Sequence, residues 1–179
     1  QFISEINSQS MYYKQQISEV MFNLLDSHDT ERILTTAKGN IQHVKAALTF
    51  LYLQKGTPCI YYGTELALKG GPDPDCRRVM PWDRVSEDND MLNFMKKLIK
   101  VRKEISSIIQ YGTYKLEEVK PDVLVLKWNY EGKEVQAIFN QSSENFVLDR
   151  DSVDLASHCQ LEDGHQVILP AGFVVYISE

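Results

Sequence analysis

Apolar positions repeat with two different periods along this chain, and the change between them divides it. Residues 8–20 predict a helix of modest amphipathicity, with Tyr12, Ile17 and Val20 set among polar neighbours. A short apolar burst, residues 21–25, predicts a buried strand that opens into the polar run Asp26-Ser27-His28-Asp29-Thr30. In residues 41–54, Val44, Ala47, Leu48 and Leu51 fall at i, i+3, i+4 and i+7, the stripe of a helix packing on a core. Gly56-Thr57-Pro58 stops that helix, and residues 59–62 read as a second short buried strand ending at Gly63-Thr64-Glu65. Residues 70–83 are rich in Gly, Pro and Asp and predict an irregular loop. A further helix is expected over 89–104, with Leu92, Met95, Leu98, Ile99 and Arg102 as its stripe.

After about Ile109 the period falls from 3.6 to 2. Residues 123–128 alternate as a strand, Glu131-Gly132-Lys133 reads as a hairpin turn, and 135–140 return. Shorter β-like runs at 145–148, 166–169 and 173–177 follow, separated by turn residues as in a small antiparallel sandwich. The order helix, strand, helix, strand predicts parallel strands with helical crossovers, which end with their polar residues just past the C-terminal strand tips. Such tips are where α/β barrels place their chemistry. The expectation is therefore an α/β part, residues 1–108, followed by an all-β part, residues 109–179, with the boundary within 106–111.

Composition narrows the function. Nineteen Lys and Arg against twenty-five Asp and Glu give a formal charge of −6, which argues against binding nucleic acid or an anionic membrane. No stretch approaches the roughly 18 consecutive apolar residues of a membrane span. The three cysteines, Cys59, Cys76 and Cys159, are odd in number and widely spaced, with no metal-ligand spacing among them. They are expected to be reduced, with Cys59 a buried thiol, which favours a cytoplasmic location. The chain opens on Gln1 rather than Met, so it is expected to be a piece of a longer protein.

Two long motifs carry a resemblance. FNLLDSHDTERIL, residues 22–34, resembles the fourth short motif of α-amylase-family glycoside hydrolases, whose His-Asp stands at the tip of the seventh barrel strand. GTPCIYYGTELALKGGPDPDCRRVMPWD, residues 56–83, resembles that family's eighth strand and the loop after it. The DPDCRR and MPWD stretches look most like the neopullulanase, cyclomaltodextrinase and maltogenic amylase branch. The resemblance implies the last two βα units of a (β/α)8 TIM barrel followed by a small antiparallel β-sandwich.

The same resemblance implies site residues. Asp29 matches the family's transition-state-stabilising Asp, which bonds the sugar 2-OH and 3-OH. A fixed anion beside developing positive charge acts more strongly in the transition state than in the ground state. His28 would donate to the same sugar as a neutral imidazole. Asp73 and Arg77 match a pair that holds glucose units on the non-reducing side of the cleavage point; Arg78, beside Arg77, is able to exchange roles with it. On residue type alone, Asp29 could instead cap a helix, and the Asp73–Arg77 pair could be a surface ion pair of small energetic weight. Tyr62 and Glu65 are read as holding the loop, Trp82 as packing within it, and Trp128 as core.

The implied activity is retaining hydrolysis of α-1,4-glucans such as cyclodextrins, pullulan or maltooligosaccharides, which needs a nucleophile and an acid/base carboxyl. In the family these stand on the fourth and fifth barrel strands, so the chain is expected to be inactive alone. No cofactor is implied. Calcium occurs in relatives, but no cluster of carboxylates and carbonyls here calls for it. The expected partner is an α-glucan oligosaccharide, with self-association through a truncated barrel whose sheet edges are open. The rival readings are a non-catalytic carbohydrate-binding or scaffold module, and a parent acting on α-1,6-glucosidic bonds or on sucrose.

Overall fold

The computed structural model describes residues 2–179; Gln1, on which the expectation of a cut start rests, lies outside the described residues. The expected first helix is two: α1 (Phe2–Tyr12) and α2 (Gln15–Ser18). The phenyl ring of Phe2 meets Phe50 at 5.4 Å, which lays α1 against the next long helix. Strand β1 (Phe22–Asn23) pairs in parallel with β2 (Thr57–Pro58), Phe22 opposite Thr57. Between them run the single turn α3 (Ile33–Thr36) and the helix α4 (Ile41–Tyr52). Asn40 starts α4 by accepting from the backbone N–H groups of Gln42 and His43 at 3.0 and 3.2 Å.

This parallel pair corrects two expectations. The strands are two residues long, and the second lies at Thr57–Pro58 rather than over 59–62. Neither is buried as the apolar run suggested. Phe22 is 72% exposed and Leu24 about half exposed, because the pair has no further strand beside it among the described residues. Cys59, expected inside, is exposed for the same reason.

Helix α5 (Asp90–Glu104) follows, capped by Asn89 Oδ1 accepting from Leu92 N–H at 2.9 Å. Its buried face is Met91, Phe94, Met95, Leu98 and Val101. The expected stripe was therefore rotated: Ile99 faces solvent. Lys45 Nζ of α4 reaches Asp90 Oδ2 at 2.6 Å and lies over the Phe94 ring, tying the two helices. A short helix, α6 (Ser106–Tyr111), occupies the expected boundary and ends at Gly112. A Cβ on Gly112 would lie 2.3 Å from the Ile108 oxygen, so only glycine fits where helix turns into strand.

The rest is one curled antiparallel sheet of six strands. These are β3 (Thr113–Lys120), β4 (Val123–Tyr130), β5 (Lys133–Asn140), β6 (Phe146–Leu148), β7 (Leu155–Glu162) and β8 (His165–Ser178). The β4–β5 hairpin turns at Glu131-Gly132, both with positive φ (49° and 82°), as a two-residue primed turn requires. The two runs expected at 166–169 and 173–177 are one long strand, β8. It pairs with β5 near its end, with β6 near its start, and with β7 along both stretches. The expected sandwich is thus a single sheet curled around its own core.

Alternation explains how that sheet serves two cores. On β4, Leu124, Leu126 and Trp128 face the helices, while Val123 and Val125 face the inside of the curl. On β8, Phe173 and Val175 meet α4 and α5 residues, whereas Ile168, Val174 and Tyr176 fill the curl with Phe146 and Leu148. The helices and the sheet therefore share one apolar cluster running from Leu34 to Val175.

That shared cluster carries a polar tie. The indole Nε1 of Trp128, itself 1% exposed, donates to the Leu53 oxygen at 2.8 Å. Arg102 of α5 donates from Nη1 to the oxygens of Tyr52 and Gln54 at 2.7 Å each, and from Nη2 to Gly56 at 2.8 Å. Four carbonyls at the end of α4 would otherwise lack partners. The sheet and α5 together thus fix the turn that leads into β2.

Candidate glucan-binding site

The polar loop that leaves β1 is held from within by Asp26. Its carboxylate is buried and accepts from the Ile33 N–H at 3.0 Å, which caps α3. It also accepts from Thr64 Oγ1 at 3.0 Å, joining the loop to the segment after β2. Ser27 and Thr30 close a small turn, with the Ser27 N–H donating to Thr30 Oγ1 at 2.9 Å and the Asp29 N–H to Ser27 Oγ at 3.1 Å. The capping role open to Asp29 on sequence grounds thus belongs to Asp26, and the Asp29 carboxylate is left facing solvent.

A second loop comes to meet it. Residues 75–77 form a single 3-10 turn, and Cys76 inside it is fully buried. Gly70 permits the approach: a Cβ there would lie 2.6 Å from the Asp75 oxygen and 2.9 Å from the Cys76 Cα. The Cys76 thiol donates to the His28 oxygen at 3.2 Å, and Arg77 Nε donates to the same oxygen at 3.1 Å. Two segments almost fifty residues apart therefore meet at one backbone carbonyl.

The side chains expected to act together lie together. Arg77 Nε is 2.8 Å from Asp73 Oδ1, and Arg77 Nη2 is 3.8 Å from Asp29 Oδ1. His28 Nε2 lies 3.2 Å from Asp29 Oδ2. All four side chains are about half exposed or more, so they line an open surface rather than a core. Arg78 does not exchange with Arg77: its Nε and Nη2 grip Asp75 at 2.7 and 2.9 Å. That grip, aided by the Gly71 N–H, holds the Asp75 carboxyl below its ordinary range.

Tyr62 holds the loop, as expected, through its hydroxyl donating to the Arg78 oxygen at 2.7 Å. Trp82 corrects its expectation. It was read as packing within the loop, yet it is 72% exposed, because the short turn at residues 82–84 turns it outward. Two organising residues escaped the sequence reading, Asp26 and Arg32, although both lie inside the quoted FNLLDSHDTERIL motif. Among the described residues, no group of three or more His, Cys, Asp or Glu is placed to hold a metal ion. No helix among them is long and apolar enough to cross a membrane.

Comparison with known proteins places the chain in a family. The family described as Alpha amylase, catalytic domain, matches residues 2–95. The chain is 41% identical over 140 residues to the intracellular maltogenic amylase of Bacillus subtilis strain 168, covering 77% of this chain and 24% of that protein. It is 40% identical over 147 residues to a cyclomaltodextrinase of Thermoanaerobacter pseudethanolicus, covering 82% and 25%. Among solved structures, an Anoxybacillus alpha-amylase superposes with a TM-score of 0.77 at 26% identity, over 97% of this chain and 41% of that one. The chain belongs to the alpha-amylase family. It spans about a quarter of the length of the curated relatives it matches.

Proposed function

We propose that this chain forms one wall of a glucan-binding cleft in a retaining glycoside hydrolase of the maltogenic amylase, cyclomaltodextrinase and neopullulanase kind. The observation that carries this reading is the convergence of Asp29, His28, Asp73 and Arg77 on one exposed surface, around the His28 carbonyl. A planar guanidinium beside two carboxylates suits the vicinal hydroxyls of a glucose unit, which both donate and accept. In this reading Asp29 faces the sugar undergoing cleavage and stabilises oxocarbenium-like charge. His28 donates to the same sugar, and Asp73 with Arg77 holds the units further from the bond. The substrates are α-1,4-linked glucans.

The nucleophile and the acid/base come from outside this chain. A general acid needs a raised pKa, but Asp75 lies beside Arg78 with its carboxyl held low. β1 and β2 serve as the seventh and eighth strands of a (β/α)8 barrel, residues 1–108 being its last part and 109–179 a separate β domain. That domain acts as a scaffold. Among its described residues Tyr111, at the foot of the domain, is the one well-exposed large aromatic side chain, with no cluster of such rings around it, and the domain's Trp128 is spent on the Leu53 carbonyl just past α4. The open edge beside β1, with a groove lined by Phe2, Ile6, Met21, Phe22, Leu24 and Phe50, supports self-association of the chain. Three free cysteines and the intracellular relative support a cytoplasmic location.

Titrating the chain with maltotriose by calorimetry, together with an assay for reducing ends, tests the reading. Binding without turnover is expected. Turnover above blank would show that the chain carries its own catalytic carboxyls, and absence of binding would remove the glucan site. Light scattering at micromolar concentration tests self-association, which a monodisperse monomer would refute.

A further inference from the structure

Arg32 is the largest charged side chain sealed inside the molecule. It is 0% exposed, and no ion pair to it occurs among the described residues. A buried cation without a carboxylate is costly unless other groups replace its water. Here they do. Nε donates to the Cys76 oxygen at 2.7 Å, Nη1 donates to the Tyr62 oxygen, and the guanidinium lies over the rings of Tyr61 and Tyr62 at 4.0 and 4.5 Å. Its own backbone N–H donates to the Gly70 oxygen at 3.0 Å. One donor, Nη2, has no hydrogen-bond partner among the described residues.

These contacts converge on the site from behind. The Cys76 oxygen and the Arg77 nitrogen belong to one rigid peptide plane, so fixing that oxygen fixes the direction in which the Arg77 chain departs. On the other face of the same turn, the Cys76 thiol and Arg77 Nε both reach the His28 oxygen. His28 and Asp29 lie four and three positions before Arg32 in the loop that Arg32 ends. Arg32 thus ties together its own loop, which carries His28 and Asp29, the Tyr61–Tyr62 stretch after β2, and the turn at residues 75–77, which carries Arg77.

We propose that Arg32 is a positioning residue that sets Arg77 against the His28–Asp29 pair. It touches no sugar. Its planar fork meets two carbonyls while its faces meet two rings, and no other side chain has that combination. A lysine keeps the charge but lacks the fork, so it cannot hold both carbonyls in one plane. The identity of the ligand rests on the glucan reading; the coupling of Arg32 to Arg77 does not.

The test is the side-chain Nε–H resonance of Arg77 in nitrogen-edited NMR spectra of the whole chain, assigned through loss in Arg77→Lys. In the native chain this proton is donated to the His28 oxygen, with Asp73 Oδ1 paired to the same nitrogen at 2.8 Å, and gives a shifted cross peak. In Arg32→Met and Arg32→Lys that peak moves to the position of a solvated arginine, while the methyl spectrum of the β sheet stays dispersed. Maltotriose affinity falls at least about tenfold, the equivalent of one charge-assisted hydrogen bond. An unmoved Arg77 peak in a folded Arg32→Met chain overturns the proposal. Should Arg32→Met unfold, Tyr61→Leu carries the test, because it strips one ring from the guanidinium and leaves both carbonyl acceptors of Arg32 in place; it too must shift the Arg77 peak. A native chain that binds no maltotriose, yet shows the coupled shift, refutes the glucan reading and supports the positioning role.

Discussion

Arg77 donates its Nε–H to the backbone oxygen of His28 at 3.1 Å, across a separation of 49 positions. The same nitrogen pairs with Asp73 Oδ1 at 2.8 Å. A single donor thus joins the two motifs that sequence reading treats separately. Arg78, one position on, turns to Asp75 instead.

That division of labour between neighbouring arginines is testable by exchange. Arg77→Lys loses the fork that meets Asp73 and the His28 oxygen together, and maltotriose affinity is expected to fall by about tenfold or more. Arg78→Lys disturbs only an exposed pair, so affinity is expected to stay within about threefold of the native value. Calorimetric titration of both variants distinguishes them, and equal losses would contradict the assignment.

Asp29 makes a different prediction, because the role proposed for it lies in the transition state. In an active enzyme carrying this segment, Asp29→Asn is expected to lower kcat by about 10²-fold or more while KM changes little. The substitution keeps the shape and removes the charge. Steady-state kinetics on a maltooligosaccharide separate the two parameters; a rise in KM at constant kcat would mean Asp29 only binds.

Trp128 links the sheet to the helix end. Trp128→Phe keeps a buried ring but leaves the Leu53 oxygen without its donor. The expected loss is about 1–3 kcal/mol of unfolding free energy, with an unchanged urea slope. Urea denaturation followed by circular dichroism reads both quantities. No loss would mean that water replaces the indole at this carbonyl.

The site loop should also respond to acid. Asp75 is held below its ordinary value of 3.8, first by its hydrogen bonds to Arg78 and then by the Gly71 N–H. A carboxyl with a depressed folded pKa contributes stability that is complete above its unfolded value and vanishes as pH falls through the folded one. Protection of the Gly71 amide from hydrogen exchange is therefore expected to hold near neutrality and to collapse only below about pH 4. Asp75→Asn should abolish that dependence. Collapse at a higher pH would point to another group.

Much of this chain was legible in its residues, and the reason is local. α4 and α5 were readable as helices because a 3.6-residue apolar repeat is set by neighbours in sequence, although the face that α5 buries was not. The β4–β5 hairpin was readable because Glu131-Gly132 sits between two alternating runs. The four candidate site residues could be named because long motifs fix their order. The burial of Phe22 and Cys59 was misjudged, since an apolar run says nothing of whether a neighbouring strand stands beside it.

The tertiary structure decided what distance in sequence conceals. Only the folded chain brings His28 to Arg77, gives Asp75 to Arg78, and assigns the cap of α3 to Asp26 instead of Asp29. Only it shows that Arg32, one more basic residue in a polar loop by sequence, is sealed against two tyrosine rings and the Cys76 carbonyl. Hydrogen bonds and ring contacts between loops depend on where each loop is carried by the elements beneath it. Residue pattern sets those elements, but their packing sets which side chains meet.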